Sequence, residues 1–125
     1  MIGNHWIADF AGCDSALLKD EAALNDIFTR AIAASNATIL SSVSHRFGGH
    51  GGVTGLFLLA ESHAAYHTYP ELNYIALDFF TCGSCDPRKS GEYVTGALSP
   101  GATSINHLTR ELPRRSPRLL IGQQI

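Results

Sequence analysis

The sequence predicts an α+β fold, a two-layer α/β sandwich in which a mainly antiparallel sheet is covered on one face by two helices. The predicted order of elements is strand, helix, four strands, helix, strand, so the middle strands follow one another without helical crossovers. A chain of 125 residues, 45% of them apolar, can build one hydrophobic core but not two ordinary domains. We therefore expect a single domain over residues 1–125, with one sheet face that water or a partner covers.

The first half of the chain predicts a strand, a helix and a second strand. Bulky apolar side chains at 5–11 indicate the first strand, which ends at Gly12. After Asp20, apolar residues recur at three- and four-residue steps, which is the period of a helix with one face on a sheet. The residues of this stripe are Ala23, Leu24, Ile27, Phe28, Ala31 and Ala34. Residues 37–47 indicate the next strand, and the glycines at 48–52 predict a flexible turn.

The second half predicts three strands and a second helix. Residues 53–60 form a continuous apolar run, which is typical of a strand inside a sheet. Residues 64–69 continue in extended form, and residues 73–82 indicate another strand. An aspartate followed by a proline predicts the start of a helix over 87–98. Its inward-facing residues are predicted to be Tyr93, Val94, Ala97 and Leu98.

The C-terminal part is predicted to hold one more strand and a tail. Residues 102–112 alternate between apolar and polar side chains, as a strand does. The tail at 113–125 mixes proline, arginine and a short apolar patch, so it is either loosely ordered or docked on a partner subunit.

Charge and hydropathy exclude several classes of partner. A formal net charge of −2 gives no basic surface for nucleic acid or an anionic membrane. The chain has no run of about 18 uninterrupted apolar residues, and its start lacks a basic region followed by a long apolar stretch. Three cysteines cannot all pair within one chain, which fits a reducing compartment. We therefore predict a cytoplasmic protein that binds neither nucleic acid nor membranes.

One segment concentrates side chains that can do chemistry. Glu61, His63 and His67 lie close in sequence to Ser62, so the hydroxyl has bases nearby, as an activated nucleophile requires. On an extended strand, side chains five residues apart point to opposite faces, so Ser62 and His67 meet only if the backbone bends between them. The nucleophile elbow of hydrolases is absent, and a turn serine beside a solvent histidine remains the alternative.

Other candidate residues lie at strand ends and loop mouths. Cys82 ends an apolar strand, where a thiol can donate a proton or simply fill space. With Cys85 it forms a C-x-x-C pair, which also occurs in redox dithiols and zinc sites, although no second ligand pair follows. Phe47 and Tyr69 can stack on a flat ligand or pack in the core. Glu71 is a carboxylate that can bind hydroxyls or a cation.

Five short motifs together resemble the prokaryotic S-adenosylmethionine decarboxylase family in order and spacing. They are HRF at 45–47, GVTG at 52–55, ESH at 61–63, HTYPE at 67–71 and LDFFTCG at 77–83. The resemblance starts near residue 5 and extends to about residue 98. It implies a fold like that of this family, and a homodimer of processed chains that decarboxylates S-adenosylmethionine for spermidine biosynthesis.

The resemblance also implies self-cleavage. Members of this family are made as proenzymes that break the bond corresponding to Glu61–Ser62, which here would give fragments 1–61 and 62–125. Ser62 would become a pyruvoyl group, which captures the substrate amine as a Schiff base and takes up the electrons released with CO2. No metal or diffusible cofactor is implied.

Residue roles follow from matching positions. His67 matches the processing histidine, and Thr54 occupies the place of the usual processing serine. Cys82 matches the thiol that protonates the substrate carbon after CO2 leaves.

The substrate-binding positions match as well. Phe47 and Tyr69 match the aromatic pair that holds adenine, with tyrosine where tryptophan is usual. Glu71 matches the carboxylate that binds ribose hydroxyls, and Asp9 stands where the family commonly has glutamate.

Departures from the family pattern keep two alternatives open. The glycine loop after Phe47 is one residue longer than usual, Thr54 adds a methyl group, and Arg88 replaces the common tryptophan. One alternative is a pyruvoyl-dependent arginine or ornithine decarboxylase on the same scaffold. The other is an uncleaved, non-catalytic relative that binds a nucleoside.

Overall fold

Six strands and two helices make up the fold in the computed structural model, which describes residues 2–115. The helices are α1 (Glu21–Ala34) and α2 (Pro87–Leu98). The strands are β1 (Gly3–Ala11), β2 (Ile39–Arg46), β3 (Val53–Leu59), β4 (Ser62–Tyr69), β5 (Tyr74–Cys82) and β6 (Ala102–Arg110). Two short 3-10 turns lie at Leu17–Lys19 and Pro70–Leu72. The predicted order of elements is confirmed. Residues 116–125 of the predicted tail lie outside the described residues.

The strands form one sheet in the order β2-β3-β4-β5-β1-β6, and every neighbouring pair is antiparallel. β1 therefore lies between β5 and β6, far from its neighbours in sequence. Both helices lie on the same side of this sheet and contact each other. The predicted two-layer α+β sandwich is confirmed.

The helices begin at side-chain caps and bury one stripe each. The carboxylates of Asp20 and Asp86 accept hydrogen bonds from backbone N–H groups in the first turns of α1 and α2. In α1 the buried residues include Ile32, whereas Ala34, predicted to face inward, is exposed. In α2 the prediction for Tyr93 is wrong, because that side chain is exposed and Gly91 is buried instead. A side chain at 91 would collide with the indole of Trp6, which occupies that space.

The core between the two layers is built on aromatic contacts. The ring of Phe28 on α1 lies 5.5 Å from Phe79, 6.2 Å from Phe57 and 4.5 Å from Tyr66, measured between centroids. The buried Tyr66 hydroxyl donates a hydrogen bond of 2.7 Å to the side-chain oxygen of Asn25. Burial in this core raises the pKa of Tyr66. The tyrosine therefore stays neutral and helps join the sheet to α1.

We expect the Gly55→Ala substitution to lower the free energy of unfolding by about 1–3 kcal/mol, as overpacking does in other cores. A Cβ at this position would lie 2.2 Å from the ring of Tyr66, which cannot retreat from the packed core. Midpoints of urea denaturation would measure the loss. Gly96→Ala is the matched control, because its added Cβ would meet no atom within 4 Å apart from its chain neighbours and the backbone of its own helix. Equal midpoints for the two variants would contradict the prediction.

The sheet face opposite the helices has no covering layer among residues 2–115, and we call it the open face. On β3, exposed Leu56 and Leu58 alternate with the buried Gly55, Phe57 and Leu59. Leu108 on β6 is also exposed and, with Val43 on β2, extends this apolar surface. No helix within residues 2–115 has the length and apolarity needed to span a bilayer.

Candidate active site

Ser62 lies at an irregular point of the backbone. It is the first residue of β4 and follows the tight turn at residues 60 and 61. Its φ angle is 142°, a conformation that residues with a side chain rarely adopt and that stores strain. The Glu61 carboxylate accepts a hydrogen bond of 2.9 Å from the Thr38 N–H, which anchors the turn. The strained residue is therefore held in place by its neighbours.

The carbonyl group before Ser62 is already hydrogen-bonded. The backbone N–H of Cys82, at the end of β5, donates to the carbonyl oxygen of Glu61 at 3.0 Å. A donor aimed at a carbonyl oxygen polarises it and stabilises the negative charge that nucleophilic attack creates there. Glu61, Ser62 and Cys82 thus form one group, which we call the cleavage half-site.

The two cysteines of the C-x-x-C pair have different surroundings. Cys82 is half-buried, whereas Cys85 is buried and its thiol contacts the carbonyl oxygen of Asn36 at 3.5 Å. Burial raises the pKa of the Cys85 thiol, and Glu61 and Cys82 add to this effect. Cys13 is likewise buried with a raised pKa, again because of burial. Cys82 is therefore the most accessible of the three thiols.

A second group lies at the other end of β4. Thr54 and His67 are direct partners in the ladder between β3 and β4, and the Thr54 hydroxyl is hydrogen-bonded to His67 Nδ1. The His67 ring lies 4.6 Å from the ring of Tyr69 and 6.0 Å from that of Phe47. An imidazole held by a hydroxyl and flanked by aromatic rings has a fixed orientation, as a general base requires.

The predicted nucleoside-binding side chains line one cavity. Phe47, Tyr69 and Glu71 surround a space of about 250 Å³ together with His67 and residues of the glycine loop. Phe47 and Tyr69 are both partly exposed, so their faces are available to a ligand. We call Phe47, Thr54, His67, Tyr69 and Glu71 the aromatic half-site.

Asp9 is held by a residue that the sequence did not single out. The Tyr74 hydroxyl donates a hydrogen bond to the Asp9 carboxylate, and the Tyr74 ring lies 5.6 Å from that of Tyr69. Tyr74 therefore connects Asp9 to the aromatic half-site. Its only signal in the sequence is its position at the start of a strand, where a tyrosine can equally pack in a core.

The hydrogen bond from Tyr74 to Asp9 has a measurable consequence. That bond, followed by desolvation and the negative charge of Asp9, raises the pKa of Tyr74 to about 12. We expect Asp9→Asn to move this pKa down toward the ordinary value of 10.0, because the acceptor loses its charge. NMR titration of protein carrying 13C-labelled tyrosine would follow it, with exposed Tyr93 as the internal reference. An unchanged Tyr74 titration in Asp9→Asn would refute this account.

The structure does not bring Ser62 and His67 together within one chain. Ser62 pairs with Thr81 and His67 pairs with Ala76, so both lie on the same unbroken ladder. Five residues of an extended strand span about 17 Å. The cleavage half-site and the aromatic half-site therefore lie at opposite ends of β4.

A shallow depression of about 350 Å³ lies on the open face beside His67. Its lining includes Asp9, Thr54, Leu56 and Asp78. The depression is open on the side away from the sheet, so a second layer packed on the open face would close it.

Comparison with known proteins assigns the chain and its fold to one family. A family model described as S-adenosylmethionine decarboxylase matches residues 4–111, a range that contains every residue of the two half-sites. The chain belongs to the S-adenosylmethionine decarboxylase family. The resemblance predicted from the five motifs is thereby confirmed.

Individual relatives of the S-adenosylmethionine decarboxylase family match over most of their length. An S-adenosylmethionine decarboxylase proenzyme from Prochlorococcus marinus (strain MIT 9313) is 43% identical over 121 residues, covering 96% of this chain and 93% of the relative. A proenzyme of the same name from Pyrobaculum aerophilum is 42% identical over 106 residues, 84% of this chain and 85% of the relative. The crystal structure of the adenosylmethionine decarboxylase from Aquifex aeolicus VF5 superposes with a TM-score of 0.83 at 28% identity, covering 94% and 97% of the two chains.

Proposed function

We propose that the chain is a self-processing, pyruvoyl-dependent decarboxylase of S-adenosylmethionine. The observation that carries the proposal is the strained backbone of Ser62 beside a Glu61 carbonyl that accepts a hydrogen bond from Cys82 N–H. A serine held in this way is suited to attacking the peptide bond that precedes it. Relatives over most of the chain are named as proenzymes of this activity, which supports the same conclusion.

Cleavage would use residues of this protein alone, with Ser62 and Cys82 from one copy and His67 from a second copy. The Ser62 hydroxyl oxygen attacks the Glu61 carbonyl carbon, and the Cys82 N–H stabilises the oxyanion. The C–N bond then breaks, so the peptide becomes an ester on the Ser62 side chain. His67 of the second copy acts as the base that removes the α-proton of residue 62, which expels the main-chain carboxylate of residue 61. Loss of ammonia from residue 62 in exchange for water leaves a pyruvoyl group at the start of fragment 62–125.

The residues around Ser62 fit such a group. Ser62 is half-buried at the edge of a turn, and Cys82 is its neighbour across the strand ends. When present, the pyruvoyl ketone would bind the substrate amine and accept the electrons released with CO2. Cys82 would return a proton to the substrate carbon, a task that suits the most accessible thiol of the chain.

The aromatic half-site would bind the nucleoside part of the substrate. Phe47 and Tyr69 offer ring faces to adenine, and Glu71 offers a carboxylate to the ribose hydroxyls. Asp9, fixed by Tyr74, adds a second carboxylate for a substrate that carries a positive sulfonium. This set favours S-adenosylmethionine over arginine or ornithine, which have no ring to stack. Assays with all three substrates would separate them.

The working unit would be a homodimer, because one chain holds the half-sites too far apart. Two copies packed by their open faces around a two-fold axis would join the cleavage half-site of each chain to the aromatic half-site of the other. The exposed Leu56, Leu58 and Val43 supply apolar area for that contact. Three free cysteines suit a reducing compartment, so we place the enzyme in the cytoplasm.

Intact mass spectrometry under denaturing conditions tests the proposal. We expect fragments 1–61 and 62–125, with the second beginning in a carbonyl that reacts with hydroxylamine or borohydride. A single full-length species after prolonged incubation would instead support an uncleaved relative that only binds a nucleoside. Cleavage without a reactive carbonyl would reject the pyruvoyl group.

A further inference from the structure

His5, His63 and Asp78 form a cluster to which the proposed decarboxylation gives no role, and it lies on the open face through which the proposed dimer would form. They come from three adjacent strands, β1, β4 and β5. His5 and His63 both pair with Phe80, from opposite sides, and Asp78 lies two residues before Phe80 on β5. The register therefore brings two imidazoles and a carboxylate to one spot.

The geometry of the cluster resembles a set of metal ligands. One ligand atom from each of the three residues lies within 4.8 Å of the other two. Both Nε2 atoms are directed at the same oxygen of Asp78, at 2.8 Å from His5 and 3.5 Å from His63. Ligands of a tetrahedral zinc ion lie about 3.3 Å apart, given zinc bonds to nitrogen and oxygen of about 2.0–2.2 Å. Small side-chain movements would suffice to place an ion between them.

The surroundings restrict how the two imidazoles can move. The Phe80 ring packs on both, with centroids 5.1 Å from His5 and 5.6 Å from His63. The two imidazole planes stand at 88° to each other. The separation of 3.5 Å between His63 and Asp78 is longer than the 2.7–3.2 Å of an ordinary N–H···O hydrogen bond. His63 is therefore positioned by packing and is not committed to a strong hydrogen bond with Asp78.

We propose that His5, His63 and Asp78 bind a divalent transition-metal ion of the zinc type. Two imidazoles and one carboxylate are a donor set that zinc and neighbouring first-row metals prefer. Three protein ligands leave a fourth position of a tetrahedral ion for water. The site goes beyond the proposed decarboxylase function, since it shares no residue with either half-site.

Arg110 would compete with a metal ion at this site, because it contacts His5. Its Nη1 donates to His5 Nδ1 at 3.1 Å, and its guanidinium lies 5.3 Å from the centre of the Phe80 ring. Because arginine only donates, His5 Nδ1 is an acceptor and the ring hydrogen sits on Nε2, where it is donated to Asp78. Metal binding moves that hydrogen to Nδ1, so Arg110 must turn away. Arg110 therefore competes with the ion.

Titration of chelator-treated protein with Zn²⁺ in a calorimeter tests the site. We expect one strong site per chain, and His63→Ala and Asp78→Asn should each weaken it about tenfold or more, as loss of a supporting group commonly does. His107→Ala is the matched control, because His107 pairs with Trp6 and lies on the helix-covered side of the sheet. Arg110→Ala should bind several-fold more tightly. His63 is half-exposed, so its variant is expected to fold even if Asp78→Asn does not.

Two outcomes would overturn the proposal. One is equal Zn²⁺ affinity in the wild type and His63→Ala. The other is a strong thiolate charge-transfer band when Co²⁺ replaces Zn²⁺, which would place the ion on Cys82 or another thiol. The Ser62→Ala variant, which the proposed function predicts to stay uncleaved, should bind Zn²⁺ like the wild type. Failure of the metal site is thus distinguishable from failure of the proposed cleavage.

Discussion

The Ser62→Ala variant is expected to remain one chain of residues 1–125 and to lose decarboxylase activity completely. Alanine removes the hydroxyl that we propose attacks Glu61, and without cleavage no ketone would arise to accept electrons. The loss should exceed that of any binding-site variant, because the substitution would remove both the proposed nucleophile and the proposed source of the prosthetic group. Intact mass and release of labelled CO2 from S-adenosylmethionine would measure the two effects.

Two further variants separate a specific role of Ser62 from general damage. Ser84→Ala, in the exposed turn after Cys82, should cleave and turn over like the wild type. Cys82→Ala keeps the backbone N–H that binds the Glu61 carbonyl but loses the thiol, so it should still cleave and yet decarboxylate poorly. Cleavage of Ser62→Ala at the same bond would remove Ser62 from the mechanism.

Coexpression of Ser62→Ala with His67→Ala should restore cleavage that neither variant shows alone. In a mixed dimer, the cleavage half-site of the His67→Ala chain would meet the intact aromatic half-site of the Ser62→Ala chain. Only the His67→Ala chain should therefore be cut. Distinct affinity tags on the two chains, followed by mass spectrometry, would identify which chain is cut.

The coexpression experiment has a strict control. His67→Ala coexpressed with the double variant Ser62→Ala/His67→Ala offers no intact pair of half-sites in any dimer, so it should stay uncleaved. If His67 served its own chain, the Ser62→Ala and His67→Ala pair would also stay uncleaved. That result would reject the shared site, and with it the reason for a dimer.

Element order was predictable because each strand and helix carries its own local signal. The continuous apolar run of β3 and the Asp86-Pro87 start of α2 are properties of a few adjacent residues. The position of β1 between β5 and β6 carries no such signal, since it depends on pairing between distant segments. The wrong orientation of Tyr93 has a similar cause: its neighbour Gly91 makes room for Trp6, a contact that helical periodicity does not contain.

In the candidate site, too, relations between adjacent residues were predictable, whereas contacts between distant residues were not. Glu61 and Ser62 are adjacent in the motif, so their relation was visible in the sequence. The contact of Cys82 N–H with Glu61 and the link from Tyr74 to Asp9 join residues 21 and 65 positions apart, respectively, and appear only in the fold. The separation of Ser62 from His67 likewise follows from the unbroken β4 strand. The sequence alone did not decide whether the backbone bends between these two residues.

The sheet order also determines what becomes of the two pieces once the bond at Ser62 is cut. The first piece would carry β1, β2 and β3, and the second β4, β5 and β6. Three ladders join strands of different pieces, namely β3 with β4, β5 with β1, and β1 with β6. The strands of the two pieces therefore alternate across the sheet. Cutting the backbone at Ser62 would leave the fold intact, and the two pieces would separate only when the whole molecule unfolds.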